Sequence, residues 1–408
     1  MPDTQPTPPP PAPKRIVVCF DGTGNQIRAT RNTNVIRLFR ALENTAGEQI
    51  LFYDPGVGTL SAAGAHTRIG RWYSRMLGLA FGLGLKTNLA DAYTFLMNHW
   101  EPGDQIFIFG FSRGAYTARA LAGLLHLIGI PRQASDNLVE YAIATYARRH
   151  KWTDADRAEA AEFSSTLCRA VDGSFSIPVH YLGVWDTVSA PGIFRRDLSF
   201  PNTHHLSNVL AGRHAISIDE KRRPYRQDPV RNPRIEEAWF AGVHSDVGGG
   251  FEEHELSDIS LMWVLDGART HGVQLRRTEE LRELPTLEPA DATARVHPTG
   301  WIWSLLIWRH RRPAPGVNVH ASVRLRREHD PSYGSRLQDP NWVDEGWDRH
   351  PADRFRSAAC HDSAVSAGPN PPLRSLPRER RREPTAPVPQ PQSSAAGQGP
   401  RARTPRLP

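Results

Sequence analysis

The stretch Gln105-Ile106-Phe107-Ile108-Phe109-Gly110-Phe111-Ser112-Arg113-Gly114-Ala115-Tyr116 constrains the fold more than any other part of the chain. Its apolar, aromatic-rich start reads as a buried strand, and residues 117–128 carry a helical pattern. Between them stands Gly110-Phe111-Ser112-Arg113-Gly114, the G-x-S-x-G pattern of a nucleophile elbow. Lifting a hydroxyl above a sheet takes a sharp, strained turn from strand into helix, with no room for side chains two positions to either side. The same turn sets the N–H of Arg113 at a helix N-terminus, where it can bind an oxyanion. A serine in an ordinary strand-to-helix turn is the competing reading. The strand before the five residues and the helix after them make the elbow the more specific one.

The rest of the chain fits an α/β arrangement around that elbow. Residues 15–20 contain a continuous apolar run of the kind found in strands buried on both faces of a parallel sheet. They end at Asp21-Gly22-Thr23-Gly24-Asn25, a turn-rich loop at a strand's carboxyl end, where open α/β sheets hold their ligands. A helix is expected over 34–43, capped by Asn32 or Thr33, followed by a short strand over 50–53. Further helices are expected over 85–100, 135–150, 154–168 and 256–270, and strands over 177–185 and 237–243. Strands alternating with helices argue for a mainly parallel sheet with helices on both faces.

Composition bears on the ends of the chain. Residues 1–13 contain seven prolines and no apolar signal-peptide core, and read as a disordered lead. Residues 367–408 hold eleven prolines, eight arginines and two glutamates, so this tail carries +6 of the formal +7. The basic balance therefore belongs to a disordered tail and is no argument for a nucleic-acid partner, although such a tail can touch anionic lipid. No run reaches the roughly 18 apolar residues of a membrane span. Cys19, Cys168 and Cys360 show neither metal-ligand spacing nor a paired framework, and Cys19 reads as a small core residue. A soluble, cytoplasmic protein is expected, with export without a signal peptide as the alternative. Past residue 285 the pattern weakens. Trp301, Trp303 and Trp308, followed by Arg309, Arg311 and Arg312, read as a flap packed on the core or as a peripheral membrane contact. The expected organisation is a lead over 1–13, a catalytic domain over 14–285, an extension over 286–360 packed on or near the core, and a basic tail over 361–408.

A serine hydroxyl is a weak nucleophile until a general base takes its proton, and the base needs an acid to orient it. Among 17 histidines, His244 stands out because it follows an apolar strand and opens Ser245-Asp246-Val247-Gly248-Gly249-Gly250. His180 lies within a strand and reads as structural. Asp186, at the end of the strand closing on Val184-Trp185, is the expected acid, and the order Ser112, Asp186, His244 is that of α/β hydrolases. Asp246 is the rival acid, but two residues from His244 it would have to fold back sharply, so a helix cap suits it better. The N–H groups of Gly22 and Thr23 offer the second half of an oxyanion hole. Asp21 can orient that loop or join Asp246 at the substrate or a cation, though two carboxylates are weak grounds for a metal. Phe20-Asp21-Gly22-Thr23 also resembles a haloacid-dehalogenase-type phosphatase loop, whose nucleophilic aspartate would fall at Cys19.

Four blocks together carry a family resemblance: Phe20-Asp21-Gly22-Thr23-Gly24-Asn25, Gly110-Phe111-Ser112-Arg113-Gly114-Ala115, Val184-Trp185-Asp186-Thr187-Val188 and Trp239-Phe240-Ala241-Gly242-Val243-His244-Ser245-Asp246-Val247-Gly248-Gly249. They resemble a family of uncharacterised α/β hydrolases that includes the catalytic domain of type VI secretion phospholipase effectors. His214-Ala215-Ile216-Ser217-Ile218-Asp219-Glu220-Lys221-Arg222 is similar to that family's block between acid and histidine. The resemblance spans residues 14–270. It implies an α/β-hydrolase fold, a triad on Ser112, Asp186 and His244, and, as in the family's secreted members, hydrolysis of lipid or phospholipid acyl esters; this chemistry needs no cofactor. An esterase for a small soluble ester and a non-catalytic binding module on the same fold are the alternatives.

Overall fold

The apolar run near the N-terminus forms strand β1 (Arg15–Phe20), buried from Ile16 onward. Its side chains alternate between two cores. Ile16, Val18 and Phe20 join one cluster, and Val17 and Cys19 the other. A strand wetted on neither face has no use for alternating polarity, which is why the sequence reads as continuous. Seven more strands follow: β2 (Gln49–Asp54), β3 (Gln105–Phe111), β4 (Tyr181–Trp185), β5 (Gly212–Ser217), β6 (Ile235–Phe240), β7 (Asn318–His320) and β8 (Asn341–Val343). They make one sheet in the order β2-β1-β3-β4-β5-β6-β7-β8, with every neighbouring pair parallel. This is the α/β arrangement with a parallel sheet expected from the pattern of strands and helices. The computed structural model describes residues 12–22, 30–56, 78–148, 152–188, 200–222, 225–276, 284–298 and 310–349. All belong to the compact unit Met1–Ala359; the second unit, Cys360–Pro408, lies outside the described residues. So do residues 1–11 of the N-terminal lead, Thr23, and Trp301, Trp303 and Trp308.

Helices cover both faces. On one side α2 (Gly78–His99), α3 (Arg113–Leu127), α4 (Asp136–Tyr146) and α5 (Asp154–Leu167) bury Tyr93, Leu121, Ala142 and Phe163 in a common cluster. On the other, α1 (Asn34–Ala41) and α7 (Glu255–Thr270) contribute Leu38, Leu261 and Trp263. Thr33 caps α1, its hydroxyl accepting the Ile36 N–H at 3.4 Å. A five-residue α6 (His244–Gly248) and α8 (Ala321–His329) complete the set. Some boundaries differ from expectation: the strand expected over 177–185 starts only at Tyr181, and the helix expected to reach 150 ends at Tyr146. Beyond residue 285, β7 and β8 lengthen the same sheet, and Val319, Val323 and Leu337 bury against Ile216 and Trp239.

The strand order positions the site. The chain runs from β1 to β2 on one side, then returns to lay β3 on β1's other side, with Phe20 opposite Gly110. A crevice opens at the carboxyl ends of strands where the order reverses in this way. The loop after β1 and the turn after β3 meet there.

One buried cation ties the elbow helix to neighbouring loops. Arg119 of α3 is 0% exposed and donates to the Thr203 carbonyl at 2.7 Å, the Asp228 carbonyl, and the Pro229 carbonyl at 3.4 Å. Asp228 Oδ1 stands 3.6 Å away as counter-charge, and its N–H is donated to the Thr187 carbonyl at 3.2 Å, beside the expected acid. Removing one member of such a buried set leaves several polar groups unpaired. Arg119→Ala should therefore lower stability by about 3–5 kcal/mol, as measured by the urea midpoint at unchanged m-value.

Candidate active site

The turn from β3 into α3 is strained where the sequence pattern requires it. Ser112 has φ 60° and ψ −119°, a left-handed backbone that a serine adopts only when its surroundings dictate it. Both flanking glycines are sterically obligatory. A Cβ on Gly110 would lie 2.6 Å from the Gly114 carbonyl oxygen, and one on Gly114 would lie 2.3 Å from that of Phe20. The elbow helix thus presses directly on the end of β1. The Ser112 N–H is donated to the Trp185 carbonyl at 3.0 Å, which fastens the turn to β4.

The expected acid is delivered by the next strand, β4. Asp186 follows β4, with φ 38° and its N–H donated to the Ala215 carbonyl of β5 at 2.7 Å. Its carboxylate is 0% exposed, and accepts the Ser217 N–H at 2.9 Å and the Ser217 hydroxyl at 3.1 Å. The expected base comes just after β6. His244 opens α6 just past β6, on a turn where Gly242 has φ 106° and a Cβ would lie 2.3 Å from Asp246 Cβ. Its ring packs against Phe111, with centroids 4.6 Å apart, and against the edge of Tyr225 at 4.8 Å. Gly248 makes room for that contact, since a Cβ there would come within 1.9 Å of Phe111.

These three side chains meet. His244 Nε2 lies 2.8 Å from Ser112 Oγ, and His244 Nδ1 lies 2.6 Å from Asp186 Oδ2. An imidazole between an anionic carboxylate and a hydroxyl carries its proton on Nδ1 and offers Nε2 as acceptor. Burial pushes the His244 pKa below its ordinary range, against the hydrogen bond and charge of Asp186, so the ring is neutral at pH 7. Burial alone would raise the Asp186 pKa. The positive charge of Arg311 and the bond to His244 outweigh it and hold the carboxyl well below its usual range.

Arg311 is the member of the site that sequence reasoning missed. In the sequence it stands with Arg309 and Arg312 in a basic strip beside the tryptophans, yet it is only 5% exposed and both its terminal nitrogens bond Asp186. A carboxylate buried this deeply needs a counter-charge, and nothing in the run of arginines marks which one supplies it. Ser217 was likewise visible only inside the block from His214 to Arg222. Glu220 of the same block is buried, holds Arg222 at 2.7 and 2.8 Å, and accepts the His244 N–H at 3.3 Å.

The remaining expected residues fall as follows. α3 begins at Arg113, so the N–H groups of its first turn face the elbow rather than the helix interior. The Gly22 N–H, expected as an oxyanion donor, is instead donated to Asp21 Oδ1 at 2.6 Å, because the adjacent carboxylate competes for it. Asp21 Oδ2 accepts from the Thr33 hydroxyl at 2.7 Å and the Tyr53 hydroxyl at 3.0 Å, so this residue braces the first loop against α1 and β2. Asp246 caps α6 by accepting the Val243 N–H at 2.9 Å, and its other oxygen lies 2.6 Å from His297 Nδ1. His180 Nδ1 accepts the Ile106 N–H at 3.3 Å within the sheet, in a structural role.

Comparison with known proteins bears on the same residues. The family model described as "T6SS, Phospholipase effector Tle1-like, catalytic domain" matches residues 14–267, more than half of the chain. The uncharacterized protein YEL023C of Saccharomyces cerevisiae is 34% identical over 223 residues, which make up 52% of this chain and 32% of that protein. Among solved structures, an uncharacterized protein from Pseudomonas aeruginosa aligns at 20% identity and TM-score 0.37, over 70% of this chain and 51% of its own. The Tle1 effector, solved bound to the VgrG spike of the type 6 secretion system, aligns at 20% identity and TM-score 0.35, over 59% and 51%. The chain thus spans about a third of the length of the yeast relative and about half of either solved chain. Ser112, Asp186 and His244 all lie inside the matched segment, and the chain belongs to the family of Tle1-like phospholipase effector catalytic domains of the type VI secretion system.

Proposed function

We propose that the protein is a serine hydrolase that cleaves acyl esters of lipids, phospholipids foremost, through an acyl-enzyme. The observation that carries this reading is the unbroken hydrogen-bond chain from Ser112 Oγ through His244 to Asp186, at 2.8 and 2.6 Å. A strained serine, a neutral buried imidazole and an ionised buried carboxylate in that order are what acyl transfer requires. In the proposed reaction Ser112 Oγ attacks the ester carbonyl while His244 Nε2 takes its proton. The oxyanion that forms is held by the Arg113 N–H at the start of α3. As the tetrahedral adduct collapses, the imidazolium gives the proton to the departing alcohol, leaving an acyl group on Ser112. Water, deprotonated by the same imidazole, then releases the acid. Asp186 fixes the tautomer and stabilises the imidazolium without itself becoming protonated. The lipid part of the reading rests on family membership.

Three measurements test it. Ser112→Ala should fold and take up no fluorophosphonate; labelling of that variant at the wild-type level would exclude Ser112 as nucleophile. His244→Ala and Asp186→Asn should each lose roughly 10³-fold or more in kcat, and the double variant should lose little beyond the worse single one. The His244 pKa is depressed by burial, and only the neutral ring can accept a proton. Activity should therefore rise with pH along a single acid limb, and the midpoint in kcat/KM should lie below the ordinary histidine value of about 6.5. A midpoint clearly above that value would mean that His244 is not the base.

A further inference from the structure

Arg311 takes no part in the proton transfers described above, yet it is bonded to the group on which they depend. Its Nη1 donates to Asp186 Oδ1, and its Nη2 donates to Asp186 Oδ2 at 3.1 Å. Nη1 also reaches the Ser217 hydroxyl at 2.8 Å and the Ser217 carbonyl at 3.0 Å, and Nη2 donates to the Tyr225 carbonyl. The two side chains are 3% and 0% exposed. Two parallel N–H donors on two carboxylate oxygens form a planar fork that a lysine ammonium cannot reproduce.

Taking two charges out of water carries a heavy desolvation cost, and an apolar side chain would anchor the segment after residue 310 without it. What an apolar side chain cannot do is keep a carboxylate ionised and fixed in orientation inside a dry pocket. Asp186 faces His244 of α6, Ser217 of β5 and Arg311, and Arg311 is the only cation bonded to it among the described residues. His244 in turn faces Asp186, the rings of Phe111 and Tyr225, and, at its backbone, Glu220 clamped by Arg222.

We infer that Arg311 is the positioning residue of the acid: its fork holds the Asp186 carboxylate in the plane and charge state that aim His244 at Ser112. The inference rests on the hydrolase reading above. It also means that the site is completed from outside the segment 14–267 that defines the family match. Removing the guanidinium has two possible consequences for the acid. Its negative charge is felt more fully by the imidazolium, or it takes up a proton itself. Both raise the pH below which the working form, with neutral His244 and ionised Asp186, is lost.

The test compares full-length wild type, Arg311→Gln and Arg311→Lys on a water-soluble short-chain ester across the pH range, with fluorophosphonate labelling and thermal unfolding in parallel. Arg311→Gln should lower kcat about 100-fold with KM little changed. Its acid limb should move upward by about one pH unit. Arg311→Lys retains the charge without the fork, so its acid limb should return to the wild-type position while kcat stays well below wild type. A folded Arg311→Gln protein with wild-type kcat and acid limb overturns the inference. So does a loss of kcat with an unmoved limb, which is the mark of a merely structural anchor. If Arg311→Gln does not fold, Arg311→Lys decides: full wild-type kcat in that variant overturns the role of the fork. Failure of the underlying reading is visible separately, in a wild-type protein that neither takes the label nor hydrolyses the ester.

Discussion

A carboxylate with no access to water has to be surrounded by donors, and the arrangement of this site follows from meeting that demand at Asp186. The end of β4 brings it there, the last residue of β5 supplies Ser217, α6 supplies His244, and a segment far along the chain supplies Arg311. Each donor comes from a different element, so the carboxylate is the point at which these elements are fixed relative to one another. The buried charge costs stability when taken alone, and its network of partners offsets that cost. The same network leaves the imidazole a single orientation.

Other carboxylates at this edge of the sheet hold loops in place. Asp21 gathers the Gly22 N–H and the hydroxyls of Thr33 and Tyr53, which fixes the loop after β1. Asp219 accepts the Gly242 N–H at 2.8 Å and the Tyr333 hydroxyl, so it holds the turn that precedes His244. Asp246 caps α6 and binds His297. Acidic residues clustered near an elbow serine invite a metal-binding reading, and Asp21 and Asp246 invite it from sequence. In the structure the oxygens of Asp21, Asp219 and Asp246 bond loop backbone and neighbouring side chains.

What could be read from the sequence was whatever is encoded locally. Strands β1 and β3 are buried on both faces and therefore appear as unbroken apolar runs, and the elbow declares itself because its two glycines answer to contacts within a few residues or at the adjacent strand end. Ser112 and Asp186 were legible because each sits just past such a strand, and His244 because it follows the apolar end of β6. β5 was not expected as a strand, since Arg213 and His214 interrupt its apolar character. His214 is nonetheless buried, its Nδ1 lying 2.7 Å from Glu237 and its Nε2 accepting the Thr187 N–H at 3.2 Å. β7 and β8 are three residues each and have no period to show. Arg311 was illegible for a different reason. Its burial is decided by a partner 125 residues away, and one arginine among several carries no mark of that partner.

That separation also has a consequence for synthesis. The contacts among β1, β2 and β3 form from chain that leaves the ribosome early, whereas the ion pair closes only after residue 311 has emerged, and long-range contacts of this kind form late. A nascent chain can thus hold the serine, the histidine and most of the sheet while Asp186 still lacks its counter-charge. The order of residues along the polypeptide leaves the site unfinished until nearly the whole sheet exists, so a ribosome-bound fragment differs from the released protein in chemistry as well as in size.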